Sequence, residues 1–145
     1  MTIVFASDHA GFCLREELSQ LAREMGHETL AVGAMSEEPY DYPDAADAGS
    51  AIVLNGQATF GVFICGSGTG ICMRANRHNG IRGANCTSVA LAKMSRKHNH
   101  ANVLCLGQRT TPPESAKRIL EAFLGEPEDD SERHVRRVGK LDWNG

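Results

Sequence analysis

The chain has 145 residues, of which 41% are hydrophobic and 23% charged, and its formal net charge is −3. That length suits one domain with a core of its own. The slightly acidic balance gives bulk electrostatics no grip on nucleic acid, and no apolar run is long enough to span a bilayer.

Thr2-Ile3-Val4-Phe5-Ala6 reads as a first buried strand. No basic region or apolar signal core precedes it, so a cytoplasmic chain is expected. The strand runs into the polar turn Ser7-Asp8-His9-Ala10-Gly11, and Phe12, Leu14, Leu18, Leu21, Ala22 and Met25 then form a helical stripe. Residues 28–32 are a second short strand, and residues 33–43 a loop holding Tyr40 and Tyr42. An alanine-rich helix is expected over 44–54, the central strand over 60–65, and a short helix over 71–77. A fourth strand follows over 81–85, and a helix capped by Thr87 or Ser88 runs to about Arg96. Residues 103–106 make a fifth strand, and a helix over 112–124 starts at a proline pair. Alternating strands and helices imply an α/β fold: a three-layer α/β/α sandwich around a parallel sheet.

Residues 1–125 are expected to form this domain. Residues 126–145 read as an acidic linker over 126–130, solvated, and then a basic segment with Arg133, His134, Arg136 and Arg137. That segment is too short and polar to make a core, so it needs the domain or a partner subunit to dock on.

The five cysteines are odd in number and match no zinc spacing, and reduced thiols fit the expected compartment. Cys13, Cys86 and Cys105 lie in apolar surroundings and read as small buried hydrophobes, Cys72 as core or helix surface. Cys65 differs, because it ends the central strand and is followed by Gly66-Ser67-Gly68-Thr69-Gly70. Glycines there let the backbone turn and approach a ligand. The following helix points free N–H groups into the loop, where they can hold an oxyanion and favour a thiolate. A dinucleotide fingerprint would need a glycine at position 71, a cysteine phosphatase loop an arginine there, and a Walker loop a lysine; position 71 is Ile71 and the loop has no lysine.

In a parallel sheet, ligands bind beyond the carboxyl ends of the strands. Asp8 and His9, Tyr42, Cys65 with its loop, and Arg109 all fall there. His98 and Asn99 precede the fifth strand and so belong to the opposite edge. One subunit does not easily supply both Cys65 and His98, whereas a two-fold dimer can. His27, His78 and His100 read as surface residues.

Taken together, Ser7-Asp8-His9-Ala10-Gly11, Asp41-Tyr42-Pro43, Cys65 to Gly70, Ala75-Asn76, Gly80-Ile81-Arg82, His98-Asn99, Asn102-Val103-Leu104, Gly107-Gln108-Arg109 and Arg133-His134 resemble the type B ribose-5-phosphate isomerases. The wider family includes galactose-6-phosphate isomerase subunits. The resemblance implies a five-stranded sheet in the order 2-1-3-5-4. It implies an aldose–ketose isomerase of a sugar phosphate, without metal or cofactor, working as a dimer or dimer of dimers with sites at the subunit interface. By the same resemblance, Cys65 is the base that moves a proton between C1 and C2, His98 opens the furanose ring, and Ser67 lies near the reacting oxygens. The amides of Gly66, Gly68, Thr69 and Gly70 hold the enediolate, and Asp8, His9, Tyr42 and Asn99 contact substrate. Arg109, Arg133 and Arg137 hold phosphate, with Arg136 an alternative to Arg137. An isomerase of a four- or six-carbon phosphate, and a redox module pairing Cys65 with Cys72, are the competing readings.

Overall fold

Strands β1 (Thr2–Ser7), β2 (Glu28–Gly33), β3 (Phe60–Cys65), β4 (Gly83–Asn85) and β5 (Val103–Gly107) form one parallel sheet in the order β2-β1-β3-β5-β4, in a computed structural model that describes residues 1–142. The segment assigned to 126–145 therefore ends in three residues, 143–145, that lie outside the described ones.

Side chains alternate between the two sheet faces, and both faces are covered. Ile3, Phe5, Val62, Ile64, Leu104 and Leu106 pack on one side with Leu14 and Leu18 of α1 (Phe12–Glu24), Ala92 of α4 (Val89–Asn99) and Ile119, Leu120 and Phe123 of α5 (Pro113–Gly125). Val4, Ala6, Phe63, Cys65, Val103 and Cys105 pack on the other with Ala45 and Ala46 of α2 (Tyr42–Leu54) and Ile71 and Ala75 of α3 (Thr69–Ala75). Each large apolar side chain buried this way stabilises the fold by roughly 1.5–3 kcal/mol. The small residues of α2 let it lie close to the sheet: a Cβ on Gly49 would fall 2.6 Å from the Phe63 ring.

Several element ends differ from those expected. Helix α2 begins at Tyr42, with Pro43 in its first turn, so Tyr42 leaves the loop. The fourth strand shrinks to Gly83–Asn85 because the Arg82 N–H donates to Asn102 Oδ1, at 2.7 Å, instead of to a strand neighbour. Ser88 caps α4, accepting from the Leu91 N–H at 3.1 Å, but the helix passes Arg96 and takes in His98 and Asn99. It stops at His100, whose φ of 49° is left-handed.

Burial corrects three further expectations. Cys13 is exposed on the first turn of α1, where its thiol donates to Glu37 at 2.8 Å and that bond raises its pKa. Cys86 and Cys105 are buried as expected. His100 is buried, because its Nε2 reaches the Asp129 carbonyl at 2.9 Å. The 126–130 run is not simply solvated: Glu128 meets the Arg96 guanidinium at 3.2 Å, and the Asp129 N–H donates to the Lys97 carbonyl at 3.0 Å. The run thus straps α6 (Glu132–Leu141) onto α4.

Candidate active site

Strand β3 delivers Cys65 to the carboxyl edge of the sheet, and the chain must then turn at once. It does so through Gly68, at φ +79°, where a Cβ would meet Asn85 Oδ1 at 2.7 Å and the Leu106 backbone at 2.8 Å. The turn brings the Gly68 N–H to Cys65 Sγ at 3.2 Å. The first turn of α3 leaves the amides of Gly70 and Ile71 without intrahelical acceptors. Thr69 N–H donates to Ser67 Oγ at 3.2 Å, which orients an otherwise exposed hydroxyl.

The loop after β5 is sewn to this one. Gln108 N–H donates to the Cys65 carbonyl at 3.0 Å and Arg109 N–H to the Gly66 carbonyl at 2.9 Å. Gly66 is needed here, since a Cβ on it would crowd the Arg109 guanidinium at 3.3 Å. Gly70 likewise leaves room for the Tyr42 ring, which would lie 2.7 Å from an added Cβ.

The turn after β1 closes the third side. Asp8 is buried and caps a short 3-10 turn, accepting from the Gly11 N–H at 3.0 Å. His9 Nδ1 lies 3.0 Å from the Tyr40 N–H nitrogen and 3.2 Å from the Tyr40 carbonyl oxygen, which ties the imidazole to the loop before α2. Asp8, Tyr42, Cys65, Gly66, Ser67, Gly70, Arg109 and Thr110 line one cleft of about 410 Å³. Cys65 is only 4% exposed, yet it is among the residues that line this cleft. A cysteine with an amide on its sulfur, in one cleft with a carboxylate and an arginine, can take a proton from carbon while the resulting anion is held.

His98 and Asn99 line a different hollow, of about 200 Å³, with His134, Arg137, Val138 and Leu141. Its floor is ordered by the strap. His134 is buried, stacks on the His98 ring with centroids 4.9 Å apart and planes 15° apart, and has its Nε2 3.4 Å from an Asp129 carboxylate oxygen. Burial, with the cations Arg133 and Arg137 and with His98, holds the His134 imidazole below its ordinary range against the opposing pull of Asp129. Arg133 and Arg136 are exposed on α6, and Arg137 is the arginine that lines the hollow. Within one chain, therefore, Asp8, Tyr42, Cys65, the loop and Arg109 come together, while His98, Asn99 and Arg137 gather elsewhere.

Thr110, Gln108 and His134 escaped the reading of the sequence as site-building residues. Gln108 caps α1, its Oε1 accepting from the Leu14 N–H at 2.9 Å, and no local spacing signals that contact. Among the described residues, His100, Glu128 and Asp130 form the one such grouping close enough to share a cation. The strap already engages Glu128 with Arg96 and His100 with Asp129.

Comparison with known proteins places these features in context. The model of the family described as Ribose/Galactose Isomerase matches residues 3–141. Ribose-5-phosphate isomerase B of Escherichia coli K12 is 40% identical over 136 residues, 94% of this chain and 91% of that protein. The structure of ribose-5-phosphate isomerase B from Clostridium thermocellum superposes with a TM-score of 0.95 at 39% identity, covering 98% of this chain and 95% of that one. The Thermotoga maritima ribose 5-phosphate isomerase gives 0.93 at 41% identity, covering 97% of each chain.

Proposed function

The chain belongs to the Ribose/Galactose Isomerase family, and from that premise we propose that it interconverts ribose 5-phosphate and ribulose 5-phosphate through a cis-enediolate, with Cys65 as the base. The observation that carries this reading is a buried cysteine in the lining of a cleft, with a loop amide on its sulfur and Arg109 in the same lining. The Cys65 thiolate takes the C2 proton of the open-chain aldose, and the C–H electron pair moves into the C1–C2 double bond. The charge that appears on the oxygens falls among the amides of residues 66–70 and the Ser67 hydroxyl. Donors already aimed at a developing oxyanion lower the barrier most. The thiol then returns the proton to C1 while the hydroxyl proton on O2 passes to O1, so that C2 becomes the carbonyl of the ketose. The scheme is metal-independent.

Before proton transfer the furanose ring must open, which needs a group able to pass a proton near neutral pH. His98 is that group in this reading. Asp8, His9, Tyr42 and Asn99 hold the sugar hydroxyls, and Arg109, Arg133 and Arg137 the phosphate, where guanidinium forks fit its oxygens. Since Cys65 and His98 line separate hollows of one chain, the complete site takes His98, Asn99 and Arg137 from a second copy. A homodimer with two shared sites is the smallest assembly that satisfies this.

The test is solvent deuterium at C2 of ribose 5-phosphate recovered from the enzyme in D2O. It appears with the wild type and not with Cys65→Ala. Label incorporated by Cys65→Ala at the wild-type rate would assign the proton transfer to another base.

A further inference from the structure

His98 is half-buried in the last turn of α4, and nothing within that helix fixes the plane of its ring. The fixing comes from outside. Asp129 grips the chain on both sides of His98: its N–H donates to the Lys97 carbonyl at 3.0 Å, and its carbonyl meets His100 Nε2 at 2.9 Å. Its carboxylate lies 3.4 Å from His134 Nε2, and the His134 ring lies parallel to that of His98 at 4.9 Å. The Ser131 N–H donates to the Asp129 carboxylate at 2.9 Å and sets the start of α6.

We propose that His134, seated by Asp129, is a positioning residue for His98: its ring is the plate against which the ring-opening imidazole is aligned. The proposal rests on the reading of His98 given above. His134 Nε2 is buried against the Asp129 carboxylate at 3.4 Å, and its flat face is turned to His98, so it offers that ring a surface. Burial lowers the basicity of this ring against the opposing pull of Asp129. The charged and titratable groups facing it are Asp129, Arg133, Arg137 and His98. Misplacing a catalytic group by about 1 Å costs on the order of 100-fold in rate, so loss of the plate must show in turnover.

The experiment measures kcat and KM for ribose 5-phosphate, and the primary isotope effect on kcat with substrate deuterated at C2, in His134→Ala, His134→Phe and Asp129→Asn. Alignment predicts that His134→Ala lowers kcat by roughly tenfold or more, leaves KM within about twofold, and ends with an isotope effect near 1, because ring opening limits turnover. His134→Phe keeps a flat ring and recovers most of the rate, and Asp129→Asn gives a smaller loss in the same direction. A raised KM with kcat intact would make His134 a substrate ligand and overturn the proposal. So would an isotope effect that stays well above 1, or a Phe variant as slow as Ala. His98→Ala separates the two levels: unimpaired turnover in that variant would overturn the role of His98 itself, whereas slow turnover there beside a normal His134→Ala overturns only the plate.

Discussion

A buried residue that also lines a cleft is an unusual placement for a cysteine, because most buried thiols are inert packing. Cys65 is 4% exposed and receives the Gly68 N–H, so its neighbourhood is built around the sulfur rather than merely tolerating it. Cys65→Ala is expected to lower turnover by at least about 1,000-fold, while the thermal midpoint stays within a few degrees, read by steady-state kinetics and calorimetry. Cys72 is the natural competitor. Its pKa is lowered, first by hydrogen bonding with Cys105, whose own thiol is pushed up by burial. Cys72 nevertheless lies outside the cleft lining, so Cys72→Ala should keep turnover within about threefold and leave kinetic inactivation by thiol reagents dependent on Cys65. At Gly70 an added methyl would press on the Tyr42 ring from 2.7 Å. Tyr42 is exposed and can yield, so Gly70→Ala should raise KM several-fold at little cost in stability.

The strap is the element in which distant residues do most to set local structure. Arg96 is buried on α4, with its guanidinium 4.4 Å from the Phe60 ring centroid and 5.6 Å from that of Phe123, and Nη1 bonds the Ala101 carbonyl at 2.7 Å. Glu128 meets the same nitrogen. Arg96→Ala loses packing, a buried hydrogen bond and the strap's anchor together, and should destabilise the fold by roughly 3 kcal/mol in urea unfolding. The strap also gives α6 a pH dependence of known sign. Burial lowers the His134 pKa, so the unfolded chain binds its proton first, and stability falls as pH drops from about 6.5 through the lowered folded value. Asp129 is lowered by hydrogen bonds from Ser131, so its share is present above the ordinary carboxylate range and lost as pH falls further, in the same direction. Protection factors of the α6 amides, the intrinsic exchange rate at each pH divided by the observed one, should therefore fall between pH 7 and 5.5, and His134→Phe should flatten that fall.

At the scale of the whole molecule, the proposed mechanism draws on two hollows that one chain keeps apart, and so implies a second chain. The sheet order puts Cys65 at the carboxyl ends of the central strands, while α4 ends at the opposite edge with His98. Mixing Cys65→Ala with His98→Ala chains therefore tests assembly and mechanism at once. Half the random dimers are mixed, and each of those carries one intact site, so about a quarter of wild-type activity should return. No recovery after exchange of subunits would place both residues in one chain's site.

Much of this was legible in the residues alone. Continuous apolar runs such as Phe60 to Cys65 announce a buried strand, because both faces of such a strand are covered. Gly66, Gly68 and Gly70 announce a turn that brings amides to a ligand, because glycine takes the positive φ of Gly68 without strain and lets the backbone come close. What tertiary structure alone decided was long-range: the burial of His100, the seating of Glu128 and Asp129 on α4, and the stack of His134 on His98. An acidic run reads as solvated when its partners lie some 30 residues away, since charge is assigned to water until a fold supplies a better neighbour. Backbone pattern is a local property and can be read in order along the chain, whereas the pairing of charges and rings depends on which surfaces the folded layers bring into contact.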